Sequence, residues 1–104
     1  WIKSCFDMGN SASYGFDPET CIERTSKYLG SVHIKDRKLH GASVELGKGD
    51  VNFYKVFECL IAIHFDGPIS FQIYRNKDSD NILLLKNTLT FINEIILKLL
   101  NDSK

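Results

Sequence analysis

No excess of either charge marks this chain: 13 Lys+Arg balance 13 Asp+Glu across 104 residues. No broad electrostatic field therefore draws it to a nucleic-acid backbone or an anionic bilayer, and neither is an expected partner. Cysteine is sparse and without pattern. Cys5, Cys21 and Cys59 are an odd number with no CxxC spacing, each inside an otherwise regular stretch. This predicts reduced thiols in a reducing, cytoplasmic setting and argues against a disulfide scaffold. The longest apolar stretch, residues 82–100, is interrupted by Lys86, Asn87, Asn93, Glu94 and Lys98 and cannot span a bilayer cheaply. The opening WIKSCFDMGN has neither the basic start nor the apolar run of a secretion signal. Met8 is the single methionine and the chain opens directly in a strand-like run, so it reads as a piece of something longer. What is present, 43% hydrophobic and 25% charged residues, is the composition of one globular unit.

Periodicity divides that unit into strands and helices in alternation. Residues 2–6 form a short apolar run ending at Asp7, and Gly9, Asn10, Ser11, Ser13 and Gly15 read as loop. Asp17-Pro18-Glu19 supplies a cap, a proline for the first turn and an acid at the positive helix end, which predicts a helix over 18–29 stopped by Gly30. Residues 31–34 read as a strand and 35–50 as a long loop. Asp50 is placed to cap a second helix, where Phe53, Val56, Phe57, Leu60 and Ile61 form one apolar stripe ending near His64. After the turn residues Asp66-Gly67-Pro68, residues 69–74 read as a third strand. Asp78, Ser79 and Asp80 offer caps for a last helix with Ile82, Leu85, Leu89, Ile92, Ile96 and Leu99 as its buried stripe. The fold class is α/β, with three βα units whose helices cross between parallel strands. Three such strands leave two open edges, so the chain is expected to be incomplete as a domain. A (β/α)8 barrel takes roughly 250 residues, and three units amount to the last part of one.

In parallel βα architectures, polar side chains at the carboxyl ends of strands converge on one rim where ligands bind. Asp7 ends the first strand, His33 lies in the second before Lys35-Asp36-Arg37, and Gln72 lies in the third with Arg75 beyond it. A carboxylate, an imidazole and a carboxamide can share one divalent ion of Mn, Mg, Co or Zn. Each also has a plain structural role open to it. Asp7 can cap a turn, His33 can be a hydrogen-bonded strand histidine, and Gln72 can fill a barrel interior. His40 and His64 read as surface residues. Leu46-Gly47-Lys48-Gly49-Asp50 admits two readings, an anion cradle of backbone N–H groups beside a lysine, or a tight turn feeding a helix.

Phe6-Asp7-Met8-Gly9-Asn10, Phe16-Asp17-Pro18, Val32-His33-Ile34-Lys35-Asp36, Leu46-Gly47-Lys48-Gly49-Asp50-Val51-Asn52-Phe53 and Phe65-Asp66-Gly67-Pro68-Ile69 with Gln72 together resemble the xylose isomerase-like TIM barrels. These include sugar-phosphate isomerases and epimerases. The resemblance covers nearly the whole chain but only the last three βα units of the family's barrel. It implies carbohydrate metabolism, a sugar or sugar-phosphate substrate, and a divalent metal held by a glutamate, an aspartate, a histidine and a second glutamate at the strand ends. By that match Asp7 is the aspartate and His33 the histidine, while the first glutamate belongs to a strand this chain does not contain. The second glutamate falls on Gln72, a departure that removes a charge and a proton carrier. Asn10, Lys35, Asp36, Arg37 and Arg75 are the expected substrate contacts, the cations serving an anionic group. As an isolated chain it is expected to be inactive, with metal affinity lowered to the point where the ion can be missing, until an oligomer or the missing strands complete it. A non-catalytic partial-barrel binding module is the competing reading. The AP-endonuclease branch fits less well, because Asn10 and Ala42-Ser43-Val44-Glu45 stand where that branch's extra histidines would be.

Overall fold

The computed structural model describes residues 3–72 and 81–102. Along the chain run β1 (Ser4–Asp7), α1 (Met8–Ser13), α2 (Pro18–Thr25), β2 (Leu29–Ile34), β3 (Asp36–Arg37), β4 (Ser43–Val44), α3 (Phe53–Ala62), β5 (Ile69–Phe71) and α4 (Asn81–Asp102). β1, β2 and β5 form one parallel sheet in that spatial order, as the alternation of strands and helices requires. The architecture is mixed α/β with parallel strands, and among the described residues β1 and β5 are the outer strands of the sheet.

Side chains alternate across the sheet. Phe6, Val32 and Ile34 point into a core with Ile22 of α2, Val56, Phe57 and Leu60 of α3, and Ile92 and Leu99 of α4. Ile22 and Val32 are wholly buried, and burial of such a side chain is worth about 1.5–3 kcal/mol each. Asp17 caps α2 as its sequence predicts, its carboxylate accepting from the Thr20 N–H and hydroxyl. Those bonds hold the Asp17 carboxyl below its usual range. Lys55 of α3 bridges Glu19 of α2 at 3.1 Å and Glu58 at 3.2 Å. The Glu19 contact tethers α2 to α3, and the two together raise the Lys55 ammonium above its usual range, the Glu19 hydrogen bond most of all. No helix among the described residues is long and apolar enough to cross a membrane.

Several local expectations are corrected. Residues 8–13 are helix rather than loop, because Asp7 caps them and Gly9 lets the turn lie against the next strand segment. A Cβ at Gly9 would come within 2.9 Å of the Lys35 stem. α2 ends at Thr25, and Gly30, read as a helix stop, lies inside β2, where a Cβ would meet Lys3 at 2.6 Å. The long loop contains the β3–β4 antiparallel hairpin. Asn52, not Asp50, caps α3, and the Asp50 carboxylate accepts from the Leu39 N–H instead. The buried face of α4 runs through Leu84, Thr88, Ile92 and Leu99, with Ile82, Leu85 and Leu89 exposed. A 22-residue helix packed chiefly on α3 buries a narrower stripe than its leucines suggest. Ile73, Tyr74, Asp78, Ser79 and Asp80, expected in the third strand and the last cap, lie outside the described residues.

Candidate functional site

The register of the sheet builds the site. Asp7 pairs with His33, and His33 pairs with Ser70, so strand alternation places Cys5, Asp7, Ser31, His33 and Ser70 on the face opposite the core. Asp7 and His33 are the only titratable pair that the parallel pairing sets side by side at the carboxyl ends of described strands. Asp7 Oδ2 lies 3.9 Å from His33 Nδ1, with 15% and 31% of the two side chains exposed. That is too long for a direct hydrogen bond but open to a small ligand. An ion about 2.1 Å from each donor can join atoms up to about 4.2 Å apart, so the pair can share one cation. The other Asp7 oxygen, Oδ1, accepts from the Asn10 N–H at 2.8 Å and caps α1. Asp7 thus caps α1 with one oxygen and leaves the other facing His33. Gln72 follows β5, exposed, its backbone N–H donating to the Ile34 carbonyl at 2.9 Å. Among the described residues, no three His, Cys, Asp or Glu side chains cluster as a complete metal shell.

The expected substrate contacts divide. Asp36 is corrected: it is 1% exposed, and its carboxylate accepts from the N–H groups of Gly47 at 2.9 Å, Gly49 at 2.9 Å and Val51 at 3.2 Å. A carboxylate so enclosed cannot reach a substrate. The same bonds settle the Gly47-Lys48-Gly49 turn, whose amides already hold an internal anion and whose Lys48 pairs with Glu45 at 3.1 Å. It is a turn feeding α3, not a cradle for a ligand. Arg37 is also committed within the chain. Its Nη1 donates to the Asn10 Oδ1 at 2.8 Å, and its Nε and Nη2 donate to the Gly41 carbonyl at 3.0 and 2.6 Å. Asn10 and Arg37 therefore meet each other at the rim. Lys35 lies half-buried beside α1, two positions after His33 along the chain. Arg75 lies outside the described residues. His40 and His64 are exposed, each at a positive φ of 55°.

Two features escaped the sequence reading. Asp36 as an internal anchor left one trace, an acid ahead of the closely spaced donors Gly47 and Gly49. Cys5, exposed on the Asp7 face, lines an open groove of about 310 Å³ with Asp7, Asn10, Tyr14 and Phe16. Cys59 is the contrasting thiol: burial in α3 pushes its pKa up and keeps it protonated.

A profile described as the xylose isomerase-like TIM barrel matches residues 1–95. An uncharacterized protein of Methanocaldococcus jannaschii is 30% identical over 94 residues, covering 86% of this chain and 32% of that protein. The structure of an L-ribulose 3-epimerase superposes with a TM-score of 0.77 at 23% identity, covering 98% of this chain and 38% of that one. A D-tagatose 3-epimerase-like protein superposes with a TM-score of 0.63 at 27% identity, covering 90% and 37%. The chain thus spans about a third of the length of the curated relative it matches.

Proposed function

The chain belongs to the xylose isomerase-like TIM barrel family, and from that premise we propose that residues 1–104 are the C-terminal part of a sugar or sugar-phosphate isomerase or epimerase. The reaction is proton transfer at the carbon beside a carbonyl. The observation that carries this reading is the side-by-side placement of Asp7 and His33 on adjacent parallel strand ends, 3.9 Å apart and accessible. The sugar epimerases among its structural neighbours favour a sugar substrate.

The donor set fits part of a divalent-metal shell. A carboxylate oxygen and an imidazole nitrogen face each other, and a carboxamide follows the next strand. Asp7, His33 and Gln72 would hold the ion, with further ligands from outside this chain. A divalent ion there supplies polarisation of the substrate carbonyl and stabilises the charge that develops as its neighbouring proton leaves. The chain's own residues do the rest of what is assigned here. Asp7, fixed by Asn10, keeps one oxygen aimed at His33. Gln72 carries no charge and takes no proton, so it orients a hydroxyl rather than acting as a base. Lys35 holds an anionic substituent where the substrate has one. The proton carrier comes from another strand, and the 104-residue chain alone is inactive.

Two measurements check this. In heavy water with Mn2+, a longer protein that completes the barrel with this chain is expected to exchange deuterium into a ketopentose, a ketohexose or one of their phosphates beside the carbonyl. The isolated chain is expected to exchange none. Absence of exchange with every such ketose in the completed protein contradicts the reading. Gln72→Glu is expected to tighten Mn2+ binding about tenfold, about 1.4 kcal/mol, by adding a charged oxygen donor. Unchanged affinity would separate Gln72 from the ion.

One observation favours a second reading, a partial-barrel binding module: Ile69 and Phe71 are 43% and 37% exposed on the outer strand β5. A copy of the protein that pairs through β5 and binds no Mn2+ at Asp7 and His33 would establish it.

A further inference from the structure

We propose that Arg37 is a positioning residue for Asp7, acting through Asn10. The proposal rests on the assignment of Asp7 as a metal ligand. Arg37 Nη1 donates to the Asn10 side-chain oxygen at 2.8 Å, and the Asn10 backbone N–H donates to Asp7 Oδ1 at 2.8 Å. A single residue on α1 thus receives the guanidinium on one side and grips the carboxylate on the other. The rest of the guanidinium is fixed by the Gly41 carbonyl, through Nε and Nη2, so its fork is locked to the β3–β4 hairpin. That hairpin holds the far end of α1 as well. His40 N–H donates to the Ser13 carbonyl at 2.7 Å, and the Ser13 hydroxyl donates to the Gly41 carbonyl at 3.3 Å.

The short helix therefore has two attachments to one hairpin, and Gly9, just ahead of the first, lies against the Lys35 and Arg37 stems. A six-residue helix has little stability of its own, so its direction is set by these attachments. Its first turn in turn selects which Asp7 oxygen is spent on the cap and which remains facing His33. Arg37 is suited to this because a planar fork can serve two acceptors at once. A lysine ammonium, a point donor on a flexible stem, holds one geometry less well. Partners that orient a metal ligand in this way typically contribute 10–100-fold in affinity.

Amide hydrogen exchange in the metal-free chain tests the strap without reference to any ion. Arg37→Met is expected to speed exchange at the Asn10 N–H about tenfold while the Val32 N–H of the sheet exchanges as before. Mn2+ titration of the same proteins then reads the consequence: Arg37→Met and Asn10→Ala each weaken binding about tenfold, the double variant is no weaker than either, and Arg37→Lys recovers only part of the loss. If Arg37→Met loosens the whole sheet, Asn10→Ala, which leaves the Arg37 bonds to Gly41 in place, carries the test through its Mn2+ affinity. Unchanged Asn10 exchange in a folded Arg37→Met protein overturns the proposal, as does Mn2+ affinity within twofold of the parent in Asn10→Ala. Asp7→Asn is the control that distinguishes the two levels. If it too leaves Mn2+ binding unchanged, the metal assignment has failed, and the positioning role falls with it.

Discussion

Asp36→Ala is expected to cost the fold about 3–5 kcal/mol, a large share of the roughly 5–15 kcal/mol that holds an ordinary domain together. The carboxylate is 1% exposed and accepts from three backbone N–H groups, those of Gly47, Gly49 and Val51. Removing it leaves three donors without their acceptor, each worth about 1–3 kcal/mol when orphaned, with some of that loss recovered by relaxation and by water at the exposed turn. The damage spreads because the turn it holds leads directly into α3, whose Phe53, Val56, Phe57 and Leu60 are core. Asp36→Asn keeps one acceptor oxygen but turns an N–H donor toward backbone N–H groups, and is expected to cost roughly half as much. Gly49→Ala reaches the same point from the other side, since its Cβ would land on Asp36 Oδ1 and 2.6 Å from the Arg37 carbonyl. Urea unfolding of the three variants checks the set. A loss below about 1 kcal/mol in Asp36→Ala would mean that the turn is held by something else.

Asp7→Asn is expected to separate the two roles of Asp7. The amide oxygen still accepts from the Asn10 N–H, so the α1 cap survives and unfolding shifts by less than about 0.5 kcal/mol. The charge that would face a cation is gone, and Mn2+ binding is expected to weaken at least about a hundredfold, about 2.7 kcal/mol. Asp7→Ala removes cap and charge together and adds the loss of a helix cap, typically about 1 kcal/mol. His33→Ala is expected to match Asp7→Asn in metal affinity, because each supplies one donor to the same ion. If Asp7→Asn and His33→Ala bind Mn2+ as the parent does, the pair is only a rim contact between a carboxylate and an imidazole.

The parts of this molecule legible in the sequence are those set by neighbours in the chain. Asp17-Pro18 fixes the start of α2, and the stripe of Phe53, Val56, Phe57 and Leu60 fixes the buried side of α3. The carboxyl ends of β1 and β2 could be placed to within a residue, which was enough to set Asp7 beside His33 once the strands were taken as parallel. What was not legible depends on contacts between segments far apart in the chain. Asn10 and Arg37 stand 27 positions apart and both read as polar loop residues, yet the Arg37 Nη1 donates to the Asn10 Oδ1. Asp36 reads as one charge among Lys35, Arg37 and Lys38, and only the folded turn shows that its carboxylate faces inward. α1 is six residues of Gly, Asn, Ser, Ala and Met with no propensity to announce it, and it forms because Asp7 caps it and the β3–β4 hairpin holds it. Gly30 and the face of α4 were misplaced for a related reason. A close approach by Lys3 decides the one, and packing against α3 decides the other.

The most direct measurement is X-ray diffraction at the manganese edge from crystals of the protein grown with Mn2+. An anomalous peak about 2.0–2.3 Å from both Asp7 Oδ2 and a ring nitrogen of His33 is the predicted result. A fully ordered rim with no peak between those two side chains, at Mn2+ concentrations that saturate the protein elsewhere, would contradict the account.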